Sequence, residues 1–147
     1  MKIVNIVDIH GNDSIIDKAG DILSSADLVL IGGDITHFGG RVEASLILDK
    51  IKTYNKHILA VTGNCDMKEV DEYMDGEEIN IHGRSVDKNG VSFIGAGGSL
   101  PCPSPTPNIY ENNKYTDLLS KTIENSSREQ KVIAYSHKQK NETYNNN

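Results

Sequence analysis

Four short stretches carry side chains able to hold cations: DIHG at residues 8 to 11, GGD at 32 to 34, GNCD at 63 to 66 and SH at 136 to 137. They supply Asp8, His10, Asp34, Asn64, Asp66 and His137. Carboxylates, an amide and imidazoles make a hard-to-borderline donor set, fitting manganese, iron, zinc or nickel better than a thiolate site would. Two ions fit this set better than one. A shared carboxylate can bridge a pair about 3.5 to 4 Å apart, which activates water and takes up charge on a phosphate. Asp66 has two readings of equal weight: support for catalysis, or pairing with a backbone amide.

These side chains need elements that deliver them to one place. KIVNIVD is a short β-branched run that reads as a buried strand ending at Asp8. DLVLIGGD and HILAVTGNCD repeat the pattern of apolar strand, glycine and acid. Between them, NDSIIDKAGDILSSA reads as one amphipathic helix capped by Asn12 or Asp13, with Ile15, Ile16, Ala19, Ile22 and Leu23 on its apolar face. RVEASLILDKIKTYN reads as a second, with Val42, Ala44, Leu46, Ile47, Leu48 and Ile51 inward. The alternation predicts an α/β layer with a mainly parallel sheet, and ligands bind at the carboxyl ends of such strands. The candidate donors should therefore converge on one rim.

The pattern changes after residue 66. MKEVDEYM predicts a short helix, and Asn89-Gly90 marks a hairpin whose strands belong to a second, antiparallel sheet edge. All four prolines fall in PCPSPTP, residues 101 to 107, which excludes a helix there. YTDLLSKTIENSSREQ reads as a polar helix and KVIAYS as the last strand.

Composition narrows the classes of function. A chain of 147 residues suits one domain. A net charge of -6 without a lysine or arginine cluster argues against nucleic-acid binding. The five uncharged residues before Asp8 are too few for a signal core or membrane span, so a cytoplasmic protein is expected. Cys65 and Cys102 form no disulfide framework and no zinc-ligand pair.

The four blocks, in this order and each at a strand end, resemble the calcineurin-like metallophosphoesterase family, and GNCD is similar to a small diesterase-like branch of it. The resemblance implies an α/β fold, a two-sheet sandwich flanked by helices (α/β/β/α), over residues 1–137. It implies that Asp8 and His10 hold one metal, that Asp34 bridges, and that Asn64 and His137 hold the second, with Asn64 also orienting a phosphate oxygen. The activity implied is hydrolysis of a small-molecule phosphoester, as a phosphodiesterase or phosphatase, by hydroxide bridging two divalent ions.

Two departures qualify this. Cys65 stands where the family commonly has a histidine that protonates the leaving group; an unperturbed thiol, with a pKa of about 8.5, is a poorer acid. After His137 the family continues with further strands and a Gly-His-x-His segment, whereas this sequence reads KQKNETYNNN. The expectation is a truncated domain missing its last strands, with residues 138–147 a disordered or non-native tail, weak metal binding and slow turnover. A sheet edge left open would favour a homodimer.

Plainer roles exist for each residue. Asp8 and Asp34 taken singly could cap helices. His37 reads as a solvated loop residue, His57 and His82 as structural or solvent-facing, and KEVDEYMDGEE as a solvated helix face. Cys65 lacks a sequence neighbour that would make it a nucleophile. Two other functions remain in view: a non-catalytic metal-binding or protein-interaction scaffold of the same fold, and an aspartyl-phosphate protein using Asp8 and one magnesium.

Overall fold

The computed structural model of the chain describes residues 1–101, 103, 105–126 and 131–137. The expected tail at 138–147 and Cys102 lie outside the described residues. Three strands, β1 (Ile3–Ile6), β2 (Leu28–Gly32) and β3 (Ile58–Val61), form a parallel sheet in the order β1-β2-β3. Before β2 come the short helices α1 (Ser14–Lys18) and α2 (Gly20–Ser24), and before β3 comes α3 (Arg41–Tyr54). Helix α4 (Lys68–Gly76) leads to β4 (Ser85–Lys88) and β5 (Val91–Ala96). Helix α5 (Asn112–Glu124) then precedes β6 (Lys131–Ser136).

Strands β2 and β3 are buried throughout, which explains why they read as unbroken apolar runs rather than alternating ones. On one face, Val29, Ile31, Ile58 and Ala60 pack with Ile16, Leu23, Leu48, Ile51, Val70 and Met74 of the helices. On the other, Leu28, Leu30, Leu59 and Val61 pack against Ile81 and Phe93 beneath the second sheet. Each such side chain contributes about 1.5 to 3 kcal/mol by leaving water. Helix α5 covers β5 from outside, where the buried Tyr115 donates its hydroxyl to the Ala96 carbonyl at 3.1 Å. Two sheets thus lie between helical layers, the expected sandwich.

Three expectations are corrected. The helix over 12–26 is broken: Ala19 ends α1 and Gly20 begins α2, and a Cβ at Gly20 would meet the Tyr54 ring at 2.6 Å. The break turns Ile15 and Ile22 outward. In α3, Val42 and Leu46 are 75% and 68% exposed, because Ala44, Ile47, Leu48 and Ile51 already fill the contact with the sheet. The expected hairpin forms at the edge of the second sheet, order β4-β5-β6: β4 pairs antiparallel with β5 through the Asn89-Gly90 turn, while β6 pairs parallel with β5 and makes the sheet mixed. Positive φ at both turn residues, 50° and 77°, is the backbone that Asn-Gly supplies. Lastly, the acidic run is not wholly solvated. Asp71 is partly buried and accepts bonds from Asn80 Nδ2 at 3.2 Å and from the Thr62 hydroxyl at 3.2 Å.

Candidate metal centre

Beyond the strands the loops remain zipped together. Asp8, His10 and Gly11 donate backbone N–H groups to the carbonyls of Gly33, Asp34 and Ile35 at 3.2, 2.8 and 2.9 Å. This ladder aligns the first two candidate blocks. Asp8, His10 and Asp34 all have positive φ, 54°, 48° and 49°, and they are three of the six described non-glycine residues that do. Left-handed backbone costs a non-glycine residue on the order of 1 kcal/mol and collects at functional sites. Gly33, with φ of 88°, and Gly63 press backbone to backbone; a Cβ on Gly63 would strike the Asp34 carboxylate. Glycine at both positions lets the second and third loops meet.

Asp34, 1% exposed, stands at the centre. Its Oδ1 accepts the Cys65 N–H at 2.9 Å. Its Oδ2 lies 3.6 Å from Nε2 of His10 and 3.6 Å from Nε2 of His137, one imidazole on either side. Those separations exceed a hydrogen bond. Two donors each about 2.1 Å from one tetrahedral ion lie about 3.4 Å apart, close to the spacing seen.

The orientation of His137 points the same way. It follows β6 directly, its N–H reaching the Ala96 carbonyl at 3.3 Å, so parallel pairing with β5 brings it to the rim. Its Nδ1 lies 2.7 Å from the Gly32 carbonyl, which can only accept, so Nδ1 carries a proton. In the neutral ring Nε2 is then a bare lone pair. It faces two further acceptors, Asn64 Oδ1 at 3.1 Å and Asp34 Oδ2 at 3.6 Å. A cation placed among these lone pairs would satisfy them together. A histidine held through its other nitrogen by a carbonyl is the usual support for a metal-binding imidazole.

Two groups of ligand atoms, each within 4.8 Å of one another, emerge among the described residues: His10, Asp34 and Cys65, and Asp8, Asp34 and His137. Asp34 belongs to both. Asp8 falls with His137 rather than with His10, a pairing different from the one the resemblance implies. Asn64 joins the second group because its Oδ1 lies 3.1 Å from His137 Nε2. Asp8 and His10 are exposed and Asp34, Asn64 and His137 buried, so the cluster opens on one side to solvent. Its donor chemistry fits divalent cations.

Asp66 is fully occupied by structure. Its two oxygens accept Gly63 N–H at 2.8 Å, Thr36 N–H at 2.8 Å, the Thr36 hydroxyl at 2.8 Å and Ile35 N–H at 3.3 Å. Wholly buried, it fastens the loop after β2 to the loop after β3. Burial, and then the charge of Asp34, push the Cys65 thiol up to about 12. His37 meets His10 edge-on at 5.5 Å between ring centres, whereas His57 is exposed at the opposite ends of the strands.

Other residues at the site carried no signal in sequence. Asn108 donates through Nδ2 to Thr62 Oγ1 and the Gly63 carbonyl, both at 3.0 Å, and its N–H bonds the Asn64 carbonyl at 3.2 Å. It holds the Asn64 turn from the proline-rich loop. Tyr115 shares a 3.1 Å bond with Ser136, next to His137. His82 is partly buried, accepts the Gly97 N–H through Nδ1 at 2.8 Å and stacks on Tyr110.

Comparison with known proteins agrees with this geometry. The calcineurin-like phosphoesterase superfamily domain matches residues 1–146. The chain is similar to the uncharacterized protein MJ1162 of Methanocaldococcus jannaschii, 34% identical over 125 residues, 85% of this chain and 56% of that protein. It therefore spans little more than half the length of that curated relative. Among solved structures, TT1561 of Thermus thermophilus superposes with a TM-score of 0.70 at 15% identity, covering 83% of this chain and 61% of that one. A second superposes with a TM-score of 0.64 at 14% identity, over 90% of this chain and 67% of the other. Identities this low speak to the fold alone. Blocks, sandwich and family match together establish that the chain belongs to the calcineurin-like phosphoesterase superfamily.

Proposed function

We propose that the chain is a metal-dependent hydrolase of a small phosphoester, built on two cation positions that share Asp34. Asp8, Asp34, Asn64 and His137 would hold one divalent ion, with His10 and Asp34 the core of the other. The observation that carries this is Asp34 Oδ2, 3.6 Å from an imidazole nitrogen on each side. When bound, such a pair lowers the pKa of water to about 7 and takes up charge developing on the phosphate.

The chain's own residues do the rest. Asp34 spans both positions, with Oδ1 fixed by the Cys65 N–H so that Oδ2 keeps its aim. His137 offers a lone pair at Nε2 because Gly32 retains the proton at Nδ1. Asn64 is turned toward His137 by its carboxamide oxygen, and a phosphate at the open side would meet the same amide. Asp66 is assigned a positioning role: four donors already fill it, which leaves no proton-transfer duty. A thiol held near 12 does not protonate a leaving group efficiently at neutral pH, so hydrolysis should depend on a leaving group that departs unaided. Manganese, iron, zinc and nickel all suit the donor set.

The test is hydrolysis of chromogenic phosphodiesters under titration with manganese. Saturable, metal-dependent turnover that rises steeply as the leaving phenol becomes more acidic, and that is lost in Asp34→Asn, supports the enzyme. Metal binding without turnover would move the assignment to a non-catalytic scaffold.

A further inference from the structure

Cys65 has no part in the hydrolysis proposed above, yet its position is not that of a bystander. It is 7% exposed, and its Sγ, an imidazole nitrogen of His10 and an oxygen of Asp34 all lie within 4.8 Å of one another. Two contacts fix it there: its N–H donates to Asp34 Oδ1 at 2.9 Å, and Asn64 Nδ2 donates toward Sγ at 3.4 Å. The first holds the backbone beside Asp34, and the second meets the thiol itself.

Nitrogen, oxygen and sulfur donors this close together could take three corners of a tetrahedron, the arrangement of mixed-ligand zinc sites. Such donors, about 2.0 to 2.3 Å from one ion, lie about 3.3 to 3.5 Å apart, so atoms already within 4.8 Å of one another need close by about 1.5 Å at most. We propose that Cys65 is a metal ligand: with His10 and Asp34 it forms a thiophilic cation position that takes zinc or cadmium in preference to manganese. This rests on the metal-binding reading above and adds a donor that reading does not use. On coordination the S–H bond gives way to an S–metal bond and the proton passes to solvent; nothing is oxidised or reduced. The neighbouring position, with Asp8, Asn64 and His137 around Asp34, has only oxygen and nitrogen donors. The two positions therefore differ in softness and favour a mixed pair of ions.

The test is cadmium titration of the metal-free full chain, followed by the ultraviolet thiolate-to-cadmium charge-transfer band and by calorimetry. The wild type and Cys102→Ser should both show the band. Cys65→Ser should lose it and bind cadmium about ten-fold more weakly or worse, with a smaller loss for manganese. In Cys102→Ser the cluster is intact and Cys65 is the sole thiol, so the result stands even if Cys65→Ser fails to fold. Calorimetric cadmium binding without a band in Cys102→Ser overturns the proposal and leaves the metal-binding reading intact. So does an undiminished band in Cys65→Ser. Absence of any cadmium or manganese binding in the wild type removes both.

Discussion

Asp34 divides its work between two oxygens, one locked by a backbone amide and one left between imidazoles, and the contrast with Asp66 shows how neighbours decide a carboxylate's role. Asp34 directly follows a glycine and Asp66 lies three residues after one, each beyond an apolar strand run. Asp66 could be assigned only after Gly63, Ile35 and Thr36 were seen around it, since two of its partners come from another loop. Stranding those buried donors should be expensive. Asp66→Ala is predicted to cost about 3 kcal/mol or more in urea unfolding, because each unsatisfied donor costs about 1 to 3 kcal/mol. Asp8, His10, Asn64 and His137 were legible because apolar runs lead into them. The Gly32 carbonyl that sets the His137 tautomer was not, since a backbone group has no letter of its own.

At the scale of elements, sequence reading did well where burial is two-sided and poorly where a helix packs on one side only. Strands β2 and β3 announce themselves by unbroken apolar runs. The apolar letters of α1 to α3 exceed what the sheet can cover, so Ile22, Val42 and Leu46 reach solvent. The mixed second sheet was illegible because the pairing of β6 with β5 depends on a partner some forty residues away. Phe93, fully buried between the sheets, reports on their union: Phe93→Ala should cost about 3 to 5 kcal/mol.

In the segment before β4, His82 stacks on Tyr110 and accepts the Gly97 N–H. Burial lowers the pKa of His82 from 6.5, against the opposing pull of Asp71 and Asp75 and together with Arg84. The unfolded chain then takes up a proton near 6.5 that the folded chain refuses, so stability present above that pH is lost as pH falls. Asp71, raised from 3.8 chiefly by burial, acts in the opposite sense, its contribution being full below 3.8 and lost as pH rises through the folded value. Comparing variants isolates the histidine. His82→Gln should flatten the thermal stability profile between about pH 7 and 5 relative to wild type.

For the molecule as a whole, the sandwich brings four blocks spread over some 130 residues to one rim, and cations should bind that rim only when it is folded. Any ion that does so stabilises by mass action. Manganese at 100 times its dissociation constant contributes about 2.7 kcal/mol. A domain of this size should then melt about 5 to 10 °C higher. No described helix is long and apolar enough to cross a membrane. The most direct measurement is calorimetric titration of manganese into the metal-free chain and its Asp34→Asn variant. Two ions per wild-type chain, with both affinities sharply weakened by that one substitution, is the predicted result; an unchanged isotherm in the variant would contradict a shared carboxylate.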